Sequence, residues 1–404
     1  MSDFDVLIVG GGMVGATVAC ALGESGLRVA VVEARLPVEV GPDDEIGLRV
    51  SAISHASQHI FESLGAWPGM AARRISPYRE MHVWDAGGGG EIHFDSADLG
   101  APALGHIIEN AVIQRALWDR LEAQGRVERL CPAALGGLHR DGDGWQVALD
   151  GGRSYRTRIV VGADGAQSRV RQGAGMDTRG WNYEQRALVC VVSTERDHQA
   201  TAWQRFLSTG PLAFLPLRDG RCSIVWSTSP AEAARLEALD EAAFCAELGA
   251  AFEHRLGAVL GCGPRASFPL RLQHAINYVQ PGLALVGDAA HTVHPLAGQG
   301  VNLGLLDAAA LAEVLLDAQT AGRDVAALSV LRRYERWRKG HNLLMMYSMD
   351  GFKRLFGFQA APLQWLRNTG LNLTDRAGPV KDCIMRFAVG DAGDLPSLAR
   401  QHRA

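Results

Sequence analysis

The segment from Asp5 to Glu33 constrains this chain more than any other. Asp5-Val6-Leu7-Ile8-Val9 is a short, mostly β-branched run, the pattern of a strand buried on both faces of a parallel sheet. Gly10-Gly11-Gly12-Met13-Val14-Gly15 follows with nothing between, a G-x-G-x-x-G turn on Gly10, Gly12 and Gly15 with Met13 inside it. Ala16 to Leu22 then reads as a helix that Gly26 ends, and Leu27 to Val32 as a second strand closed by Glu33. Gly10 permits the tight turn, Gly12 lets a pyrophosphate reach the backbone, and Gly15 lets helix and strand pack closely. The helix start offers free N–H groups and a positive dipole end to phosphates. Glu33 stands about 20 residues on, where an acid accepts hydrogen bonds from an adenosine ribose. The order implies a ligand with an ADP half, and does not separate NAD from FAD.

Val6 to Gly23 is also an uncharged stretch of 18 residues, long enough for a marginal membrane span. Its five glycines, and the acids Asp3 and Asp5 before it, argue instead for strand, turn and helix and against a signal peptide. The whole chain of 404 residues suggests two to three domains at about 150 residues each. With 47% apolar and 21% charged residues it can bury a full core, which excludes disorder as its main state. Forty basic against 44 acidic residues leave a charge of -4, so nothing draws the chain as a whole to nucleic acid. The seven cysteines are scattered, odd in number and without a C-x-x-C pair, which fits a reducing cytoplasm better than a disulfide or zinc framework.

Two further strands end in acidic turns. Ile159 to Gly162 runs into Ala163-Asp164-Gly165, followed by Ser168 and Arg171. Leu283 to Val286 runs into Gly287-Asp288-Ala289-Ala290-His291. After it come His294-Pro295-Leu296-Ala297-Gly298-Gln299-Gly300 and an apolar helix from Val301 or Asn302 to about Leu316. Asp288 can accept hydrogen bonds from sugar-alcohol hydroxyls. Gly298 and Gly300 would let the backbone lie against a flat ring, and Pro295 stiffens the turn. A helix starting at Val301 would aim its positive end at whatever that loop holds.

This set resembles the FAD-dependent aromatic hydroxylases, single-component flavoprotein monooxygenases. Leu48-Arg49-Val50-Ser51-Ala52-Ile53, Gly105 to Asn110, and Gly287 to Gly304 are similar to the ubiquinone-biosynthesis branch of that family. Phe214 to Leu217, Ser223 to Ser227 and Leu331 to Arg336 resemble the enzymes that hydroxylate a 2-polyprenylphenol at C5. The resemblance implies an α/β fold: a Rossmann-like FAD-binding domain of the para-hydroxybenzoate-hydroxylase type, an inserted mixed-sheet substrate domain and a helical C-terminus. The expected segments are 1-75, 107-174 and 281-340 for the FAD-binding domain, 76-106 and 175-280 for the substrate domain, and 341-404 for the helical region. It implies FAD as cofactor, NAD(P)H and O2 as co-substrates, and a polyprenylphenol as substrate. Arg49 and Gln114 match family flavin contacts, and Gly287 and Asp288 the ribityl-binding motif. Pro295, Gly298, Gln299 and Gly300, with Val301 and Asn302, match the loop and helix start beside the ring. Phe214, Leu215 and Trp226 are candidates for the substrate side. No dedicated catalytic nucleophile is expected, because the cofactor carries the chemistry. The alternatives are a sister hydroxylase acting at another ring position, an NAD-dependent dehydrogenase, or a non-catalytic subunit of the biosynthetic assembly.

Other readings are weaker. Asp288, His291 and His294 could suggest a metal site, but the resemblance places them beside flavin and no metal is expected. There is no G-x-S-x-G and no P-loop. Arg332, Arg333, Arg336, Arg338 and Lys339 read as a solvated helix face. Tyr78 to Trp84 and Glu91 to Phe94 flank Gly87 to Gly90 as a hairpin, and Leu212 to Leu217 and Arg221 to Thr228 flank Gly220 as another. In the C-terminal region Met349, Phe352 and Phe356 recur near helical spacing beside Lys353 and Arg354. That suits an interfacial helix reaching a membrane-dissolved substrate, or equally a stripe packed on the body of the protein or on a partner from the same pathway. A cytoplasmic protein, with peripheral contact to the inner membrane left open, is the expected location.

Overall fold

A computed structural model describes residues 2–293, 299–357, 361–390 and 392–401. Its first sheet is built on the N-terminal strand Phe4–Val9, which pairs in parallel with Val29–Val32 on one side and Ser154–Gly162 on the other. Val127–Leu130 and Leu283–Leu285 extend it at either end, also in parallel. Val6, Leu7 and Ile8 are fully buried because the helices Met13–Leu22, Asn110–Gln124 and Gln299–Thr320 pack around this sheet. The registers Val9↔Gly162 and Gly162↔Leu285 bring three strand ends to one edge. The Gly10 turn, the Asp164 turn and the Gly287 turn therefore meet there, where parallel α/β sheets hold their ligands. Two element limits differ from the sequence reading. The first helix begins at Met13 rather than Ala16, because Gly12 is already its N-cap. The late helix runs from Gln299 to Thr320, since no breaker follows Leu316.

The second sheet has nine strands and is mostly antiparallel. Its centre is the long strand Thr178–Thr194 between Cys222–Thr228 and Ala266–Ala275. Both expected hairpins form: Glu80–Asp85 with Glu91–Asp95, and Gly210–Pro216 with Cys222–Thr228. The helices Pro230–Ala238 and Glu241–Ala251 cover one face, and the strand Val259–Cys262 follows them. Ser76–Tyr78 and Gly105–Glu109 join neither large sheet; they form a small third sheet with Val50–Ile53.

The C-terminal helices tie the layers together. Leu328–Gly357 is 30 residues long. It inserts Arg338 into the core beside the first sheet and stacks Phe356 on Phe206 of the second sheet at 3.9 Å. Phe356 is thus a core residue and Met349 is half-buried, so the proposed interfacial stripe is not one face. The exposed apolar residues of this helix are Leu344, Tyr347, Phe352 and Leu355. The Gly87–Gly90 turn has a second use: a Cβ on Gly88 would lie 2.2 Å from Asn368, and the buried Asp85 pairs with Arg367. That turn is small because the helix Ala361–Arg376 sits on it. No helix among the described residues is long and apolar enough to cross a membrane.

Candidate active site

The Gly10–Gly15 turn divides its work among its glycines. Gly10 has φ +102, and a Cβ there would lie 2.4 Å from the Ala163 carbonyl oxygen. A Cβ on Gly15 would lie 1.9 Å from the Gly10 carbonyl oxygen. Gly12 is different: beyond its chain neighbours, no atom of the described residues lies within 4 Å of the Cβ position. Two glycines close the packing and the third leaves a space, as a phosphate-binding turn requires. Gly11, which the motif passes over, is also pinned. Its N–H donates to Glu33 Oε2 at 2.7 Å, and its carbonyl accepts from Gln114 Nε2 at 3.0 Å and Trp118 Nε1 at 2.8 Å. Gln114 thus holds the loop's backbone. Trp118 was invisible to motif reading because its partner lies 107 residues away. Met13 is half-buried at the first turn of the helix.

The two acidic turns lie alongside. Asp164 Oδ2 accepts from the Arg169 and Val170 amides at 2.7 and 3.0 Å, starting the short helix Arg169–Gly173, while Oδ1 is buried with no hydrogen-bond partner among the described residues. An orphaned carboxylate oxygen at this edge has capacity for a ligand donor. Arg171 clamps the two acidic turns together, donating to the carbonyls of Ala166 and Ala289, both at 2.8 Å. Gly287 takes φ +57 and packs on Val14 of the first helix.

Asp288 is exposed at the end of its strand, with protein packed densely about its carboxyl. That setting raises its carboxyl above the ordinary range, and the charges of His291 and Arg49 oppose the rise. Arg49 therefore stands near Asp288, and its guanidinium lies 5.5 Å from the Phe268 ring centre. The loop that carries Arg49 is held from behind. Glu109 accepts from the Gly47 amide at 2.6 Å and pairs with Arg74 at 2.8 Å, and the Arg49 carbonyl accepts from the Asn110 amide at 2.9 Å.

Other expected contacts are redistributed. Pro295 and Gly298 lie outside the described residues, as does His294. Gln299 and Gly300 form the first helical turn with Val301, and a Cβ on Gly300 would lie 3.4 Å from Val293. The Asn302 side chain does not face the cleft. It accepts from the Ser54 amide and Ser57 hydroxyl at 3.1 and 2.8 Å and donates to the Ala52 carbonyl at 2.9 Å, so it locks the helix to the strand Val50–Ile53. His291 likewise turns inward, to Asp307 at 2.5 Å, and not towards a flavin face. Among the described residues no group of three His, Cys, Asp or Glu side chains could hold a metal.

On the second sheet, Phe214 and Trp226 lie on the wrong face for a substrate role. Phe214 is fully buried and stacks on Phe252 at 3.8 Å, and both belong to the core beneath the two covering helices. Side chains alternate along a strand, so Leu215, Ser223 and Val225 take the opposite face. Leu215 packs with Ile46 and Val50, and Val225 with Val293 and Leu303. Ser223 Oγ there is buried without a hydrogen-bond partner.

An open glycine, an unpaired acceptor on Asp164, an exposed carboxylate on Asp288 and a nearby Arg49 suit a dinucleotide laid across three strand ends. Residues 3–345 match the family described as the FAD binding domain. The chain belongs to the FAD-dependent monooxygenases. This flavoprotein is 43% identical over 386 residues to the 3-demethoxyubiquinol 3-hydroxylase of Escherichia coli (strain K12), covering 96% of this chain and 98% of that protein. It is 38% identical over 440 residues to the human mitochondrial ubiquinone biosynthesis monooxygenase COQ6, covering 95% and 92%. Among solved structures, PqsL of P. aeruginosa in complex with 2-aminobenzoylacetate is similar with a TM-score of 0.74 at 26% identity, covering 91% of this chain and 99% of that one.

Proposed function

We propose that this flavoprotein hydroxylates the aromatic ring of a prenylated phenol on the route to ubiquinone, with NAD(P)H and O2 as co-substrates. The observation that carries this reading is the 43% identity to a ubiquinol-ring hydroxylase over 98% of that protein's length. FAD, when bound, supplies the redox chemistry that activates O2. The chain's own residues have simpler tasks. Gly12 leaves room for the pyrophosphate, Glu33 and Asp288 accept hydroxyl hydrogen bonds, and Asp164 Oδ1 offers a further acceptor. Arg49 supplies positive charge at the anionic part of the cofactor. The sheet face bearing Leu215, Ser223 and Val225 keeps water from the ring and offers one hydroxyl to it.

The motif resemblance favours C5 of a 2-polyprenylphenol. The Escherichia coli relative's name gives a specific second reading, a 3-demethoxyubiquinol. Purified holoenzyme given NAD(P)H, O2 and each substrate in turn separates them by the mass and ring position of the product. Hydroxylation of neither, with flavin fully bound, would refute both.

A polyprenyl tail partitions into a lipid phase at about 0.8 kcal/mol per buried CH2. For the protein surface that meets it we propose the exposed face of Leu328–Gly357. Leu344, Tyr347, Phe352 and Leu355 lie on that face, and apart from the buried Arg338 the helix carries six Lys and Arg against two acids. Its charge is complementary to an anionic bilayer.

A further inference from the structure

The turn that carries Asp288 is clamped from behind by one carboxylate. Asp307, on the helix Gln299–Thr320, is fully buried. Its Oδ2 accepts from His291 Nε2 at 2.5 Å and from the Gly287 amide at 3.3 Å. Gly287 and His291 are the two ends of the five-residue segment on which Asp288 sits, so a single oxygen fixes both. The other oxygen accepts from Arg338 Nε and Asn342 Nδ2, both at 2.9 Å, and Arg338 also donates to Asn342 Oδ1 at 3.0 Å. His291 and Arg338 are each 1% exposed and Asn342 is fully buried. Burial alone would push the Asp307 carboxyl up, but His291, Arg338 and Asn342 together hold it down at about 2. It is a carboxylate at any working pH.

We infer that Asp307 is a positioning residue for the flavin: through Gly287 and His291 it fixes the turn that presents Asp288 to the cleft. This rests on the family's cofactor and not on the ring position or the substrate. The donor count is the reason an acid is needed. Four N–H groups converge on the two oxygens, and a carboxylate can accept all four. Asparagine has one oxygen and an NH2 group. Whichever way its amide is turned, two donors face donors, and the clamp opens at the turn or at the Arg338 side. Among the described residues no other side chain bonds both Gly287 and His291; Arg171 secures Ala289 between them.

The experiment is the release of FAD from diluted holoenzyme, followed by flavin fluorescence, with the visible circular dichroism of bound flavin as a second readout. Asp307→Asn is expected to weaken FAD binding by about tenfold or more, the scale of an unmade hydrogen bond to a charged group. His291→Leu should do the same, whereas His291→Gln, which keeps a donor towards Oδ2, should stay within about threefold of wild type. Leu315→Ala, two turns further along the same helix and fully buried, should lower Tm with unchanged FAD affinity and an unchanged dichroism spectrum. If Asp307→Asn does not fold, the two His291 variants decide, since they leave the acid in place. Wild-type affinity in His291→Leu, or a loss in Leu315→Ala equal to that of the clamp variants, would overturn the assignment. Because neither readout involves a phenol, failure here is distinct from failure of the proposed reaction.

Discussion

The Glu33 carboxylate accepts a 2.7 Å hydrogen bond from the Gly11 amide, 22 residues earlier in the chain. One side chain therefore shapes the phosphate turn and stands at the ribose position. Its other oxygen accepts from the Arg35 amide at 3.2 Å. Glu33→Ala should remove both jobs, with FAD affinity falling by about 1.5–3 kcal/mol. Glu33→Gln keeps an acceptor oxygen and should lose less. Titration of FAD into the two apoproteins checks the order, and equal affinity in all three proteins would remove Glu33 from the site.

Gly12 and Gly15 should fail in different ways. At Gly12 an added methyl meets nothing within 4 Å, so Gly12→Ala should fold with a near-normal Tm and yet bind FAD poorly, because the methyl occupies the space left for the pyrophosphate. At Gly15 the same methyl would sit 1.9 Å from a carbonyl oxygen, so Gly15→Ala should fold poorly whether or not flavin is present. Thermal melts with and without FAD test the contrast.

Asp288 links flavin binding to pH. Its surroundings raise the carboxyl, so it takes up a proton at a higher pH than an ordinary aspartate. FAD affinity should then weaken on acidification, beginning above the normal aspartate range. The apoprotein should show the opposite sign: burial penalises the charged form, so this group costs stability when ionised and that cost is relieved as pH falls through its raised value. Asp288→Asn should flatten this part of the affinity profile and Asp288→Ala should lower affinity at every pH. An affinity profile unchanged by Asp288→Asn would contradict the role.

The helix Leu328–Gly357 offers a matched pair. Phe352 is 50% exposed and Phe356 is 6% exposed, stacked on Phe206. Phe352→Glu should leave Tm nearly unchanged and abolish flotation with anionic liposomes. Phe356→Glu should lower Tm by burying an unpaired charge. If the wild type does not float, or Phe352→Glu floats as well as wild type, this helix face is not the lipid contact.

How much of this was readable in the sequence depends on range. The Gly10, Asp164 and Gly287 turns were legible because each follows a buried strand within a few residues, and the strand register then brings them together without further instruction. Gly11, Trp118 and Asp307 were not, because their meaning lies in partners 16 to 107 residues away. The strands carrying Phe214, Leu215 and Trp226 are legible in the sequence, but alternation gives two faces and does not say which one the covering helices take. Phe352 and Phe356 were read as one stripe for the same reason, since helical spacing does not say which part of the arc meets the second sheet. Asn302 and His291 carry motif positions, yet both side chains turn into the protein, where they hold the cleft's walls in place.

The central claim is that this chain puts one atom of O2 onto an aromatic ring at a flavin held by these three turns. The direct measurement is mass spectrometry of the product formed by purified, flavin-loaded protein with NAD(P)H, a prenylated phenol and isotopically labelled O2. One labelled oxygen on the ring for each NAD(P)H consumed is the expected result, with loss of that product in Asp288→Ala. Oxidation of NAD(P)H with no label in the ring for any ubiquinone-pathway phenol would contradict it.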